Sequence, residues 1–360
     1  MTNRFAFAQF CSAVRRKGAL ALCLALCTLG LGLAATADDH KATIITFDAP
    51  GAGTAPGEGT EGNAVDPQGR IVGDYLDANF TFHGFLRTPN GQFITFEAPG
   101  AGAGTYQGTG GWGITPAGEI TGDYVDVNCV EHGYLLEPDG KLITFEAPGA
   151  GTTPSPCANG LWGGLQGTTA GNINPVGEIA GITVDANNVW HGFLRAPDGK
   201  FITFEAPGAG TGPFQGTIVD FAEGLNAQGT AGGWYIDGTY TVHGYVRTAG
   251  GKITTFDGPG EGVQWTVAYS TDSQGATAGI YLDAANLYHG FLRTKEGKIT
   301  TIDVPGAGTG AYQGTQPEAM NDVGVIAGNY IDANGANHGF VVWGLGLAPT
   351  KAAPRASYWQ

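Results

Sequence analysis

The sequence predicts an all-β chain: a six-bladed β-propeller with four-stranded blades, its ring closed by an N-terminal outer strand joining the C-terminal three strands. Three observations predict it. A His-Gly-Phe or His-Gly-Tyr tripeptide occurs six times, at His83, His132, His191, His243, His289 and His338, with Asp77, Asp126, Asp185, Asp237, Asp283 and Asp332 each six residues earlier. The first five histidines are followed thirteen residues later by Phe96, Phe145, Phe204, Phe256 and Ile302, inside Ile-Thr-Phe-type segments, whereas the sixth has none and a spare copy, Ile45-Thr46-Phe47-Asp48, stands near the N-terminus. No stretch after the leader has a helical period, and the 63 glycines among 360 residues fall as punctuation between short alternating runs.

The aspartate-to-aspartate steps are 49, 59, 52, 46 and 49, and all the variation lies between the Phe or Ile and the next aspartate. A segment that tolerates insertion is a loop, and the invariant part is strand. In the third unit the strands are predicted at 168–173, 178–184, 189–196 and 200–206, separated by Asn-Pro-Val-Gly and Pro-Asp-Gly turns. Four strands in about 50 residues, repeated, is a propeller pattern. Residues 41–48 then supply the outer strand of a blade whose other three strands end at Trp343, which leaves no open sheet edge.

Residues 1–37 read as an export signal. Arg4, Arg15, Arg16 and Lys17 form a basic start, 18–33 is uncharged and apolar, and Ala35-Thr36-Ala37 is a small-x-small cleavage site. Residues 38–344 are the propeller and 345–360 a flexible tail. Removing the leader leaves 13 basic against 32 acidic residues, a net charge of −19, and no basic groove for nucleic acid. No second apolar span follows, so the processed chain is expected to be secreted or periplasmic without a membrane span.

The recurring Asp-to-His-x-Phe segment and the leader resemble the HAF-type extracellular repeat family, bacterial exported proteins with a His-Ala-Phe signature. The resemblance covers residues 41–344, with glycine at the middle position, as in His83-Gly84-Phe85. It implies export and repeat architecture and adds no catalytic residue.

A sixfold Asp/His pair points to a fold device, since active sites are asymmetric. The aspartate carboxylate is expected to accept bonds from turn amides or the imidazole, and the glycine to let a neighbouring backbone approach. No metal and no cofactor is expected. Gln107, Gln166, Gln215, Gln264 and Gln313, with Glu58 as the exception, enter the inner strands and read as structural. Cys129 and Cys157, in loops of one face, are the only cysteines after the leader and are expected to form a disulfide.

Asymmetry appears three residues past each inner-strand threonine, at Asn63, Trp112, Gly171, Tyr269 and Glu318, and at Glu223 in the unit with a three-residue insertion. The polar and aromatic ones, Asn63, Trp112, Glu223, Tyr269 and Glu318, are candidate ligand-binding residues at a channel mouth. The leading reading is an exported, non-catalytic module that binds a cell-envelope glycan or protein through its long-loop face. The alternative is an extracytoplasmic hydrolase or lyase using Glu223 and Glu318.

Overall fold

Short apolar alternations closed by Asp- or Asn-initiated turns give strands of four to seven residues. In the computed structural model these are 23 in number, with no helix among the described residues. The structure describes residues 47–55, 58–154, 156–157, 165–220, 224–321, 324–342 and 345. The predicted leader, residues 41–46, Glu223, Trp343 and all of the predicted tail but Leu345 lie outside them.

The first unit is β1 (Gly59–Val65), β2 (Ile71–Leu76), β3 (Phe82–Arg87) and β4 (Phe93–Phe96). The second is β5 (Gly108–Ile114), β6 (Ile120–Val125), β7 (Glu131–Leu136) and β8 (Leu142–Phe145). The third is β9 (Gly167–Ile173), β10 (Ile179–Val184), β11 (Trp190–Arg195) and β12 (Phe201–Phe204), within two residues of the predicted bounds. The fourth is β13 (Gly216–Val219), β14 (Ala231–Ile236), β15 (Val242–Arg247) and β16 (Ile253–Phe256). The fifth is β17 (Trp265–Thr271), β18 (Thr277–Leu282), β19 (Tyr288–Arg293) and β20 (Ile299–Ile302). Among the described residues the last has three strands, β21 (Gly314–Met320), β22 (Ile326–Ile331) and β23 (Asn337–Val342).

Strands within a unit pair antiparallel in sequence order, as in β1–β2–β3–β4. Units join where an inner strand begins. Gly108 opens β5 at φ 119°, and a Cβ there would lie 2.0 Å from the Phe82 carbonyl oxygen, so glycine lets β5 start beside β3. Phe82 and Gly108 pair in parallel, as do Glu131 with Gly167, Trp190 with Gly216, and Tyr288 with Gly314. The next residue is a threonine whose hydroxyl accepts the amide leaving the preceding outer strand: Ala98 to Thr109 at 3.0 Å, Ala206 to Thr217 at 2.9 Å, and likewise Ala49 to Thr60 at 2.9 Å.

In the first five units the aromatic ring of the His-Gly-aromatic tripeptide is the buried centre: Phe85, Tyr134, Phe193, Tyr245 and Phe291 have no exposed surface, whereas Phe340 of the last unit is partly buried. Each such burial contributes about 1.5–3 kcal/mol. The tripeptide glycine has a different reason from the expected one. A Cβ on Gly84 would lie 2.3 Å from the Phe96 ring, and Phe145, Phe204 and Phe256 lie over Gly133, Gly192 and Gly244 in the same way. What approaches is the outer strand's ring rather than a backbone. In the fifth unit, where Ile302 replaces phenylalanine, Pro317 takes the place against Gly290.

Units pack inner strand on second strand: β5 on β2, β9 on β6, β13 on β10, β17 on β14 and β21 on β18. No equivalent packing of β1 on β22 is seen among the described residues. β1 exposes Glu61 and Gly62 where β5 buries Gly110 and Gly111, and β22 is half-buried along most of its length where β18 is wholly buried.

Candidate binding face and the bulged inner strands

The β2–β3 loops and the loops that leave the outer strands lie at one end of the sheet, because the Phe82 amide donates to Gln107 O (2.8 Å) and the Tyr106 amide to Phe80 O (2.6 Å). The β1–β2 and β3–β4 turns lie at the other end.

At the long-loop end each repeat aspartate organises its loop. Asp77 Oδ1 accepts the amides of Asn79 (2.8 Å) and Thr81 (2.9 Å), and Asp126, Asp185, Asp237, Asp283 and Asp332 do the same for their own loops. Desolvation pushes the Asp126 carboxyl up, but the amides of Val130 and Asn128 outweigh it and hold the group below the usual carboxylate range. The histidine stands between two carboxylates. His83 Nε2 lies 3.6 Å from Asp77, and Nδ1 lies 2.5 Å from Glu97 of the segment after β4. The imidazole also stacks on Tyr75 at 4.9 Å. The second carboxylate is Glu146 for His132, Glu205 for His191, Asp257 for His243 and Asp303 for His289. Sequence reasoning missed these partners, although the Ile-Thr-Phe-Glu segment carries them. The hydrogen bonds to Glu146 and Glu205 raise the pKa of His132 and His191 against the opposing effect of burial.

The entry glutamines staple the same loops. Gln107 Oε1 accepts the Gly104 amide at 2.9 Å, and Gln166, Gln215 and Gln313 accept those of Thr153, Gly212 and Gly310. Gln264 instead donates Nε2 to Asp283 O at 3.2 Å. Glu58 Oε2 accepts the Ala55 amide at 2.7 Å. Cys129 and Cys157 form a disulfide with Cα atoms 5.3 Å apart, tying the loop after β8 to the β6–β7 loop.

Aromatic rings stand on this face beside the staples. Tyr106, Phe214 and Tyr312 have left-handed backbones (φ 59°, 60° and 60°), as do Phe80 and Tyr240 (59° and 66°). Bulky residues adopt such angles only when the surroundings hold them. Here the amides of Tyr106, Phe214 and Tyr312 donate to Phe80 O, Asn188 O and Asn286 O at 2.6–2.7 Å. Phe214, Tyr240 and Tyr312 remain 51%, 58% and 56% exposed. The Tyr240 hydroxyl reaches Pro213 O at 3.2 Å, so Tyr240 borders Phe214, and Phe80 lies 5.7 Å from Tyr106.

The candidate residues of the inner strands lie elsewhere. Asn63, Trp112, Tyr269 and Glu318 are each the extra residue of a β-bulge, and Gly171 lies within the equivalent irregularity of β9. A bulge re-aims its side chain. These positions lie four residues from the long-loop end of the strand and two from the opposite end. Asn63 Nδ2 donates to Asp74 Oδ2 and to Gly111 O, both at 2.9 Å, which brings it beside Trp112. Trp112 Nε1 donates to Asp123 Oδ1 at 2.6 Å. Tyr269 packs at 6.3 Å from Trp234, and its hydroxyl pKa is raised by burial and then by the charges of Asp220 and Glu318. Glu318 is exposed, and partial desolvation raises its carboxyl.

Beneath Asn63 and Trp112 lie two acids absent from the candidate set. Asp74 and Asp123 are 2% and 1% exposed. Burial raises Asp74 well above the carboxylate range, helped by the charges of Glu61 and Asp123, and burial pushes Asp123 up to about 7. The matching residues of the third to fifth units are Ile182, Trp234 and Ile280, all in or against one apolar cluster. The signal was legible as Gly-Asp-Tyr at 73–75 and 122–124 against Gly-Ile, Gly-Trp or Gly-Asn in the other units. Among the described residues no three His, Cys, Asp or Glu side chains are placed to hold a metal ion, and no helix is long and apolar enough to cross a membrane.

The solved structures this chain resembles include lyases and a lectin. A streptogramin B lyase is 15% identical over 82% of this chain and 86% of its own, with a TM-score of 0.47. Virginiamycin B lyase from Staphylococcus aureus is 15% identical over 78% and 83%, with a TM-score of 0.45. The BP39L lectin from Burkholderia pseudomallei is 9% identical over 79% and 80%, also at 0.45. No family model and no curated protein matches the chain. Likeness at this level carries no argument about activity.

Proposed function

We propose that the protein is an exported binding module of the HAF-repeat type, a closed six-bladed propeller that takes neutral carbohydrate of the cell envelope or surroundings on its long-loop face. The observation that carries this reading is the row of rings at Tyr106, Phe214, Tyr240 and Tyr312, three of them more than half exposed. Left-handed bulky residues cost roughly 1–3 kcal/mol each. Aromatic faces held out in water beside Asp, Asn and Gln side chains suit a sugar ring, whose apolar face stacks while its hydroxyls meet polar neighbours. The acidic balance of the chain disfavours anionic ligands. The disulfide fits an oxidising compartment, in keeping with the leader. In this reading residues 41–48 complete the last blade, and closure covers the exposed sides of β1 and β22.

A glycan array probed with the processed protein tests the reading. Binding to neutral glycans that drops at least tenfold in Phe214→Ala and Tyr312→Ala is expected. An array without hits, or binding indifferent to both substitutions, would overturn it.

A further inference from the structure

Three joins between successive units repeat one arrangement on the long-loop face, and two of the three are open to solvent. Where the third unit meets the fourth, the Phe214 amide donates to Asn188 O at 2.7 Å. Where the fifth meets the sixth, the Tyr312 amide donates to Asn286 O at 2.6 Å, and where the first meets the second, the Tyr106 amide donates to Phe80 O at 2.6 Å. In each pair both residues are left-handed, with φ between 59° and 62°. The other joins differ. One carries the Cys129–Cys157 disulfide, and in the other the residue before Gln264 is Val263, which packs against an apolar cluster.

The three like pairs differ in what faces the ring. Asn188 and Asn286 each put an amide there. The Oδ1 of each accepts Nε2 of its own unit's entry glutamine, Gln166 or Gln264, at 3.2 Å, and neither Nδ2 has a hydrogen-bond partner among the described residues. A second ring supports the first from the strand side: Trp190 lies 6.5 Å from Phe214, and Tyr288 lies 6.3 Å from Tyr312. Phe214 and Tyr312 are more than half exposed. At the first join Phe80 stands in the asparagine's place, its ring 5.7 Å from that of Tyr106, and Tyr106 is half-buried. Phe80 covers the ring and supplies no donor.

We infer that the long-loop face holds two equivalent subsites for one pyranose residue each, Phe214 with Asn188 and Tyr312 with Asn286, and that the third place of the pattern, at Tyr106, is closed by Phe80. The inference rests on the carbohydrate-binding proposal and adds the number and makeup of its subsites. The apolar face of the sugar lies on the exposed ring, and one of its oxygens accepts from Nδ2. Two like subsites on one face suit a glycan that repeats the same residue, because binding at one raises the effective concentration at the other. Tyr240, whose hydroxyl reaches Pro213 O, extends the Phe214 subsite, and Gly335 holds the equivalent position in the last unit.

NMR of carbon-13-labelled phenylalanine and tyrosine rings reads each place separately. The probes are the methyl α- and β-pyranosides of glucose, galactose, mannose and N-acetylglucosamine. Phe214 and Tyr312 should shift with the same sugar while Tyr106 stays still. Phe80→Asn, with a residue that tolerates the left-handed backbone, should make Tyr106 shift with that sugar too. Asn286→Gly should weaken the Tyr312 response about fivefold, the worth of one hydrogen bond, and leave Phe214 as it was. A sugar that shifts only one of Phe214 and Tyr312, or that shifts Tyr106 equally in the unaltered protein, overturns the paired subsites and leaves the carbohydrate proposal standing. A silent Tyr106 in Phe80→Asn overturns the closed third place, and an undiminished response in Asn286→Gly overturns the part given to the asparagine. Should Phe80→Asn fail to fold, Phe80→Gly replaces it. No shift with any sugar overturns the subsites alone if the glycan array has hits, and the subsites and the proposal together if it has none.

Discussion

Trp112 Nε1 donates to Asp123 Oδ1 at 2.6 Å, while Asp123 Oδ2 is buried with no hydrogen-bond partner among the described residues. A buried carboxylate with one oxygen unpaired is costly as an anion, which is why the group holds its proton to about pH 7. The sign follows directly. The folded value lies above the unfolded one of about 3.9, so between those values the folded protein binds more protons. Stability therefore falls as pH rises from about 4 to 7.

Asp123→Asn keeps an acceptor for Trp112 and removes the titration. It is expected to leave stability at pH 4 nearly unchanged and to raise it at pH 8 by roughly 1–3 kcal/mol, after discounting the linkage of about 1.4 kcal/mol per unit for the shared charge with Asp74. Urea unfolding at the two pH values reads this. An equal loss at both would mean that the carboxylate is needed as an anion.

The histidines carry a dependence of the same sign on a different ionisation, at higher pH. Hydrogen bonds to Glu146 and Glu205 raise His132 and His191 in the folded chain. Their stabilisation is complete below about 6.5 and is lost as pH rises through the raised folded values. Because Glu146 and Glu205 are almost half exposed, each pair contributes only a few tenths to about 1 kcal/mol. Glu146→Gln should lower the His132 midpoint in an NMR titration and leave His191 where it was. If the His132 midpoint stays put, Glu146 is not what raises it.

The repeat spacing made the strands legible, because the pattern from aspartate through histidine to the outer-strand ring is local and invariant. Loop placement followed from strand parity, which is how Cys129 and Cys157 could be paired from sequence. Depth along the inner strand was not legible. Counting from the threonine located Asn63, Trp112, Tyr269 and Glu318, but a bulge adds a residue without leaving a mark in the sequence, so their direction and their distance from the loop face stayed hidden. Asp74 and Asp123 were passed over because they sit on a second strand, where alternation alone gives a polar residue no reason to be buried. Glu223 lies outside the described residues, so the carboxylate pair with Glu318 has no geometry here.

The ring over Gly84 makes a sharp packing prediction. A methyl group added there would meet Phe96 Cε2 at 2.3 Å, far inside van der Waals contact. Gly84→Ala should therefore cost about 1–3 kcal/mol through overpacking. Gly84→Ala/Phe96→Leu should recover part of that loss, since the smaller side chain leaves the methyl room. Thermal melts of the two proteins decide. A double variant less stable than the sum of its singles would show that the ring is not the obstacle.

The disulfide offers the most direct check on the compartment and on the loop face together. It closes a separation of 28 residues, and it stands where Phe80 and Tyr240 stand in other units, since Cys129 shares their left-handed backbone (φ 59°). In the other units hydrogen bonds to the repeat aspartate and to the entry glutamine or glutamate hold the loops, and the second unit, with the longest loop, adds a covalent tie. In the chain-entropy picture a tie of this span contributes about 2–4 kcal/mol. Cys129→Ser/Cys157→Ser should lower unfolding stability by that amount and should weaken the loop after β8 first, visible as early proteolysis between 150 and 166. Thiol titration of the processed, denatured and unreduced protein should find no free thiol. Two reactive thiols in freshly isolated protein would place the chain in a reducing environment and remove the tie from the native state.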